Sequence, residues 1–177
     1  MFGLFKKTPA PPPPVSPVID LARLTCGDLQ IGAPVSLGSN YRTYLVDDKD
    51  EPGVQIYKND ASGLEITTRD GIVDSIFISL KSFTGSFTMN GAPLDLKLDT
   101  EESKVCEILG EPWWKDVDDD LEVIDFYERA DGTEIQVEYP AMCQLRFITI
   151  LKKGILADPI QRERYGVSKP WPPSDGN

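Results

Sequence analysis

The chain contains no histidine. That removes the commonest general base and metal ligand, and with them every Ser-His and Cys-His catalytic arrangement. Cysteine is scarce: Cys26, Cys106 and Cys143 are odd in number, widely spaced, and form no C-x-x-C pair. Neither a disulfide framework nor a zinc site is expected, and the thiols read as reduced, small core residues of a cytosolic protein. No apolar run reaches the roughly 18 residues that suggest a transmembrane helix, so no integral membrane segment is expected. The start, Met1-Phe2-Gly3-Leu4-Phe5-Lys6-Lys7, has its charges after the apolar residues and too short an apolar core for a signal peptide. No lipidation motif is seen, since Phe2 is second and no terminal cysteine is present. The expected location is cytoplasmic.

Positive charge is also in short supply, with 18 Lys plus Arg against 29 Asp plus Glu and a net charge of −11. Such a surface repels nucleic acid and anionic lipid, and it favours a basic partner or plain solubility. The only basic clusters are Lys152-Lys153 and Arg162 with Arg164, so nucleic acid is not an expected partner. Phosphate loop, nucleotide fingerprint and nucleophile elbow are all missing, and no cofactor is implied.

What the chain does hold is 177 residues, 40% of them apolar, enough for one compact domain or two small halves sharing a core. Residues 1–17 read as a flexible tail and Pro-rich linker, because Pro9, Pro11 to Pro14 and Pro17 favour extended polyproline backbone. Residues 18–29 predict a short helix, with Pro17 at its first turn and Gly27 closing it. Residues 54–80 read as an antiparallel meander turning at 59–63 and at Asp70-Gly71. A hairpin follows over 81–98, turning at Asn90-Gly91, with Pro93 in its loop or at an edge. Residues 99–109 predict a second helix, with Asp99 and Glu102 as a capping-box-like pair and Val105, Ile108 and Leu109 as the buried stripe. Strand-like runs then cover 123–128, 133–139 and 145–151, the first two joined at Asp131-Gly132. Residues 152–177 read as a strap over the domain and a tail.

Two segments share a plan. Ile31-Gly32-Ala33-Pro34 matches Leu109-Gly110-Glu111-Pro112, and Val54-Gln55-Ile56-Tyr57 matches Ile124-Asp125-Phe126-Tyr127. Gly63-Leu64-Glu65-Ile66 matches Gly132-Thr133-Glu134-Ile135, and Ile76-Phe77-Ile78 matches Ile148-Thr149-Ile150. Their common order predicts a helix–loop–three-strand repeat. The expected fold class is α+β: an antiparallel sheet from two such repeats, with their helices packed on one face. The domain would run over 18–151, with repeats at 18–80 and 99–151 and the hairpin 81–98 between them. A helix ending in Leu-Gly-x-Pro, then a meander, then the same again, resembles the β-lactamase-inhibitor-protein fold and the related small outer-membrane assembly lipoproteins. The signal peptide, lipobox and paired cysteines of those secreted families are not seen here. In build and charge the chain is also similar to bacterial immunity proteins that neutralise a cognate toxin. That resemblance implies a toxin–antitoxin role and assigns no residue a part in it.

The loops ahead of both meanders are acidic. Asp47, Asp48, Asp50 and Glu51 lie in the first, and Asp116, Asp118, Asp119, Asp120 and Glu122 in the second. Brought together on one face they would attract a basic surface and speed its association; apart, they are solvated loops. Residues 116–122 lack the sixth-position Gly and distal Glu of an EF-hand loop, so no metal is expected there. Trp113 and Trp114 are consecutive and cannot point the same way, which leaves one as a candidate interface anchor. Glu134 and Glu138 share a strand face, but no catalytic motif accompanies them and no enzyme activity is expected. The expected function is a non-catalytic acidic binding protein, an immunity-type inhibitor occluding a basic toxin or enzyme through these loops and tryptophans. The alternative is an assembly adaptor docking through the Phe2-Leu4-Phe5 tail.

Overall fold

Valine, isoleucine, threonine and aromatic residues alternate with polar ones through most of the chain, and strands form there. The computed structural model describes residues 16–38, 41–45, 51–118, 122–140 and 144–173, with only the backbone at Tyr44 and Leu45. In chain order the strands are β1 Val18–Asp20, β2 Thr25–Cys26, β3 Leu29–Gln30, β4 Arg42–Leu45, β5 Val54–Asn59, β6 Leu64–Arg69, β7 Ile72–Ser79, β8 Ser86–Met89 and β9 Ala92–Leu94. Helix α1, Glu102–Leu109, separates these from β10 Trp114–Val117, β11 Val123–Glu128, β12 Glu134–Tyr139 and β13 Phe147–Leu151. A 3-10 turn at Ile155–Ala157 and helix α2, Pro159–Arg164, complete the chain.

The strands form two sheets, a five-stranded one in the order β3-β2-β1-β8-β9 and an eight-stranded one in the order β10-β11-β12-β13-β7-β6-β5-β4. The larger sheet is two four-strand meanders joined antiparallel through β7 and β13. Tyr57 pairs with Ile66 and Ile66 with Ile76; Tyr127 pairs with Ile135 and Ile135 with Ile150. Ile76 pairs with Ile150, so a pseudo-two-fold axis passes through that pair. The last of the four sequence matches is therefore displaced by two residues: Ile76 corresponds to Ile150, not to Ile148. A shift of two preserves the face, which is why the pattern matched.

The turns expected from Asx-Gly pairs are present. Asp70 and Gly71 have φ of 53° and 75°, and Asn90 and Gly91 have 52° and 82°; this left-handed backbone matches the twist of a two-residue hairpin. Pro93 falls in β9, an edge strand, where its missing N–H breaks no ladder.

The α+β expectation, with a helix from each repeat on one face, is overturned. The fold is mostly β, with two short helices of eight and six residues among the described residues. Residues 18–29, expected to be helical, form β1, β2 and their turns instead. Asp20 is responsible. Its carboxylate accepts the N–H groups of Ala22 and Arg23 in the turn, and those of Asn90 and Gly91 and the Thr88 hydroxyl across the sheet. Burial alone would raise its pKa, but these donors together hold it below the ordinary carboxyl value. α1 is real but starts later than expected, at Glu102, without a side-chain cap. Asp99 has φ of 65° and pairs with Arg146, and Glu102 pairs with Lys115, so the capping box does not form. Gly110, at φ 85°, ends the helix as expected, donating its N–H to Cys106.

The core lies between the sheets. Ile66, Ile76, Ile78, Ile135, Val137, Ile148 and Ile150 of the larger sheet meet Ile19, Leu21 and Phe87 of the smaller one, with Val105 of α1 at one end. Among the described residues, the opposite face of the larger sheet is covered near β11 and β12, where residues 155–173 cross it: Tyr165 packs on Phe126 and accepts the Trp114 indole N–H at its carbonyl. The two helices thus lie against opposite faces of the sheet. Ile150, fully buried at the pseudo-axis, is a sensitive probe of this arrangement. Ile150→Ala is expected to cost about 2–5 kcal/mol of unfolding free energy in urea, and Ile108→Ala, on the half-buried flank of α1, about half that or less.

Candidate functional site

Of the acidic residues singled out by sequence, Asp47, Asp48, Asp50, Asp119 and Asp120 lie outside the described residues. The strands that follow these segments are described and lie apart. β5 and β11 begin at opposite ends of the sheet, and five strand spacings, about 24 Å, lie between them. That follows from the pseudo-two-fold axis, which runs through the sheet and sends equivalent loops in opposite directions. Glu51, in the first loop, pairs with Arg69 at 3.5 Å.

The second loop belongs to a more developed surface. Glu122 donates its N–H to Asp118 Oδ1 at 2.9 Å, and Asp118 donates its own to the Glu122 carbonyl, closing the β10–β11 turn. Beyond it a cross-strand row runs Asp116, Ile124, Glu138, Phe147, Ser79 along the face that the strap leaves uncovered. All five are half-buried. Phe147 stacks on Phe77 at 5.4 Å. Burial, then Asp118, raises the Asp116 carboxyl, while Arg164 draws it back; burial, then Glu122, raises Glu138. Carboxylates are crowded here beside an apolar strip, and a cation would relieve them.

The tryptophans point apart, as adjacent residues must. Trp114 is held under the strap through Tyr165. Trp113 lines an open cleft of about 970 Å³ with Met89, Tyr127, Arg129 and Lys169, and its carbonyl accepts the Lys169 ammonium at 2.7 Å. Both rings are half-buried. Arg129 fixes one wall of the cleft by donating to the carbonyls of Leu21 and Ala22.

Two polar clusters escaped sequence reasoning. On the covered face, Asp125 is fully buried, and neither of its oxygens has a hydrogen-bond partner among the described residues. Lys115, its cross-strand neighbour, stands 3.9 Å away and pairs with Glu102 of α1. The hydroxyls of Tyr127 and Tyr139 are buried beside Cys106 and Asp125, with no close hydrogen bond among the described residues. Burial pushes Asp125 up to about 6 against the pull of Lys115. On the other face Glu128 and Glu134 are direct cross-strand neighbours, both buried. Glu134 accepts from Gln136 at 2.7 Å, while Glu128 faces Glu134 and the Trp171 indole. A Cβ on Gly154 would come 2.5 Å from Glu128 Oε1 and 2.9 Å from Glu134 Oε2, so glycine there lets the strap lie close over the pair. Burial and the facing Glu134 push Glu128 up to about 9, with Trp171 and Arg162 opposing. The only sequence signal for either cluster was negative charge at strand positions, which by itself does not reveal depth.

Compared with known proteins, the chain matches no family model, no curated protein and no solved structure. Among the described residues no helix is long and apolar enough to cross a membrane.

The buried acids carry a pH signature. Glu128 titrates near 9 in the fold and near its ordinary 4.5 when unfolded, so between these values the native state holds more protons and stability falls as pH rises. Asp125, ordinarily 3.8 and here about 6, adds a decline of the same sign at the acid end. The Tm is therefore expected to drop between about pH 5 and pH 9, and Glu128→Gln to flatten that drop. A wild-type Tm that climbs across this window would contradict the assignment.

Proposed function

We propose that this chain is a non-catalytic acidic binding protein of the bacterial cytoplasm that occludes a basic toxin or enzyme, as immunity-type inhibitors do. One observation carries the reading: the row Asp116, Ile124, Glu138, Phe147 on the uncovered sheet face, with Glu122 at its end and Phe77 stacked beside it. Half-buried carboxylates whose burial and acidic neighbours, Asp118 beside Asp116 and Glu122 beside Glu138, disfavour their charge gain most from a partner's Lys or Arg, since a cation placed among them relieves that cost. The adjoining Ile124 and phenylalanine pair offers apolar contact from which water can be expelled. The surface sits on rigid strands, so little ordering cost accompanies binding. It takes Asp116 and Glu122 from the acidic loop and replaces the idea of two cooperating loops with one contiguous patch.

Capture from host lysate at low salt, eluted with rising salt, is expected to yield one stoichiometric basic protein. The triple variant Asp116→Asn, Glu122→Gln, Glu138→Gln is expected to slow its association about tenfold or more at low ionic strength and to flatten the salt dependence. Wild-type association with an undiminished salt slope in this variant would remove the patch from the mechanism.

A further inference from the structure

The cluster beneath α1 departs from its counterpart in the first meander. At the position related to Asp125 the first meander has Gln55, whose Oε1 accepts the Tyr57 hydroxyl at 2.6 Å. In the second meander Tyr127 takes the place of Tyr57, but its hydroxyl faces Cys106, and neither oxygen of Asp125 makes a close hydrogen bond among the described residues. A neutral, bonded amide has been exchanged for a buried acid with unused acceptor sites. Glu102 and Cys106, four residues apart and so on one face of α1, converge on the same spot: their ligand atoms and those of Asp125 all lie within 4.8 Å of one another. The hydroxyl of Tyr139, a fully buried residue, stands beside Asp125 at the same cluster.

We propose that Glu102, Cys106 and Asp125 form a binding site for a thiophilic divalent cation of the zinc type. Two carboxylates and a thiolate suit zinc or cobalt(II) rather than magnesium or calcium, which prefer all-oxygen sites. Three protein ligands with a fourth position left to water is a common zinc arrangement. Tetrahedral coordination needs ligand atoms about 3.5 Å apart, reached from the present spacing by side-chain rotation of Glu102 and Cys106. On binding, the Cys106 thiol gives its proton to solvent and its sulfur bonds the metal. Lys115 releases Glu102 and turns outward from its edge strand, where its side chain is already 38% exposed. The hydroxyls of Tyr127 and Tyr139 stand beside Asp125 and Cys106 to support the ligands, the role such groups play around bound metals. The ion would staple α1 to β11. The site lies on the covered face of the sheet and is independent of the partner surface on the other side.

The test is a cobalt(II) titration of the full chain, freed of metal by a chelator and kept reduced. A near-ultraviolet thiolate-to-cobalt absorption band saturating at one equivalent is expected, with zinc bleaching it and raising the Tm. Cys106→Ser is expected to abolish the band, Cys26→Ser to leave it unchanged, and Asp125→Asn to weaken binding about tenfold or more. Lys115→Met removes the rival cation and is expected to bind at least as tightly. Circular dichroism of each variant separates loss of the site from loss of fold, and if Cys106→Ser fails to fold, Asp125→Asn and Lys115→Met still decide. The proposal is overturned by the absence of any band up to about 1 mM cobalt, by a band that survives in folded Cys106→Ser, or by wild-type affinity in folded Asp125→Asn.

Discussion

The pairing of β7 with β13 is the constraint on which the rest depends. Each meander alone is a four-stranded sheet with one apolar face and an unprotected edge on either side. Joining them through Ile76 and Ile150 removes two of the four edges and makes one apolar face broad enough to need a cover. The five-stranded sheet and α1 supply that cover. Asp20 ties the first turn to the β8–β9 hairpin, and Arg129 ties the same turn to the end of β11. The pairing also makes β5 and β11 begin at opposite ends of the sheet.

The pseudo-symmetry makes each half a reference for the other. Lys58 and Glu65 form an ion pair across β5 and β6, partly open to solvent. The related positions in the second half are Glu128 and Glu134, two acids that face each other under the strap. Gln55 with Tyr57 is likewise a satisfied pair, whereas Asp125 with Tyr127 is not. Buried polar groups without partners oppose folding, and apart from Thr68 in β6 those found among the described residues lie in the second half or under the strap. The second meander carries the aromatic cleft, the acid row and both buried acid clusters, while the first reads as plain scaffold.

Local features were legible before the fold was known. Asp70-Gly71 and Asn90-Gly91 turn where expected, because a positive φ at two successive positions is a demand that few residue pairs meet. Alternation marked β5 to β7 and β11 to β13, and Gly110 marked the end of α1. The failures were of one kind. Residues 18–29 look helical in isolation but are held as strand and turn by Asn90 and Gly91, about seventy residues away. Asp99 looks like a cap but is taken by Arg146, across a long stretch of chain.

The sequence by itself determined the Asx-Gly turns and strands β5 to β7 and β11 to β13, since these follow from φ preferences and a two-residue side-chain period that act over a few positions. Only the tertiary structure decided which acids are buried and which carboxylates meet, and it alone put one helix against each face. Glu122 and Glu138 are alike in sequence, as are Glu128 and Asp125. What separates them is depth and neighbours, and those come from strand order and from the strap and sheet laid over each face. In water a carboxylate is cheap anywhere on a surface; beneath α1 or Gly154 the same group is held without its solvent, and that difference arises from contacts between distant parts of the chain.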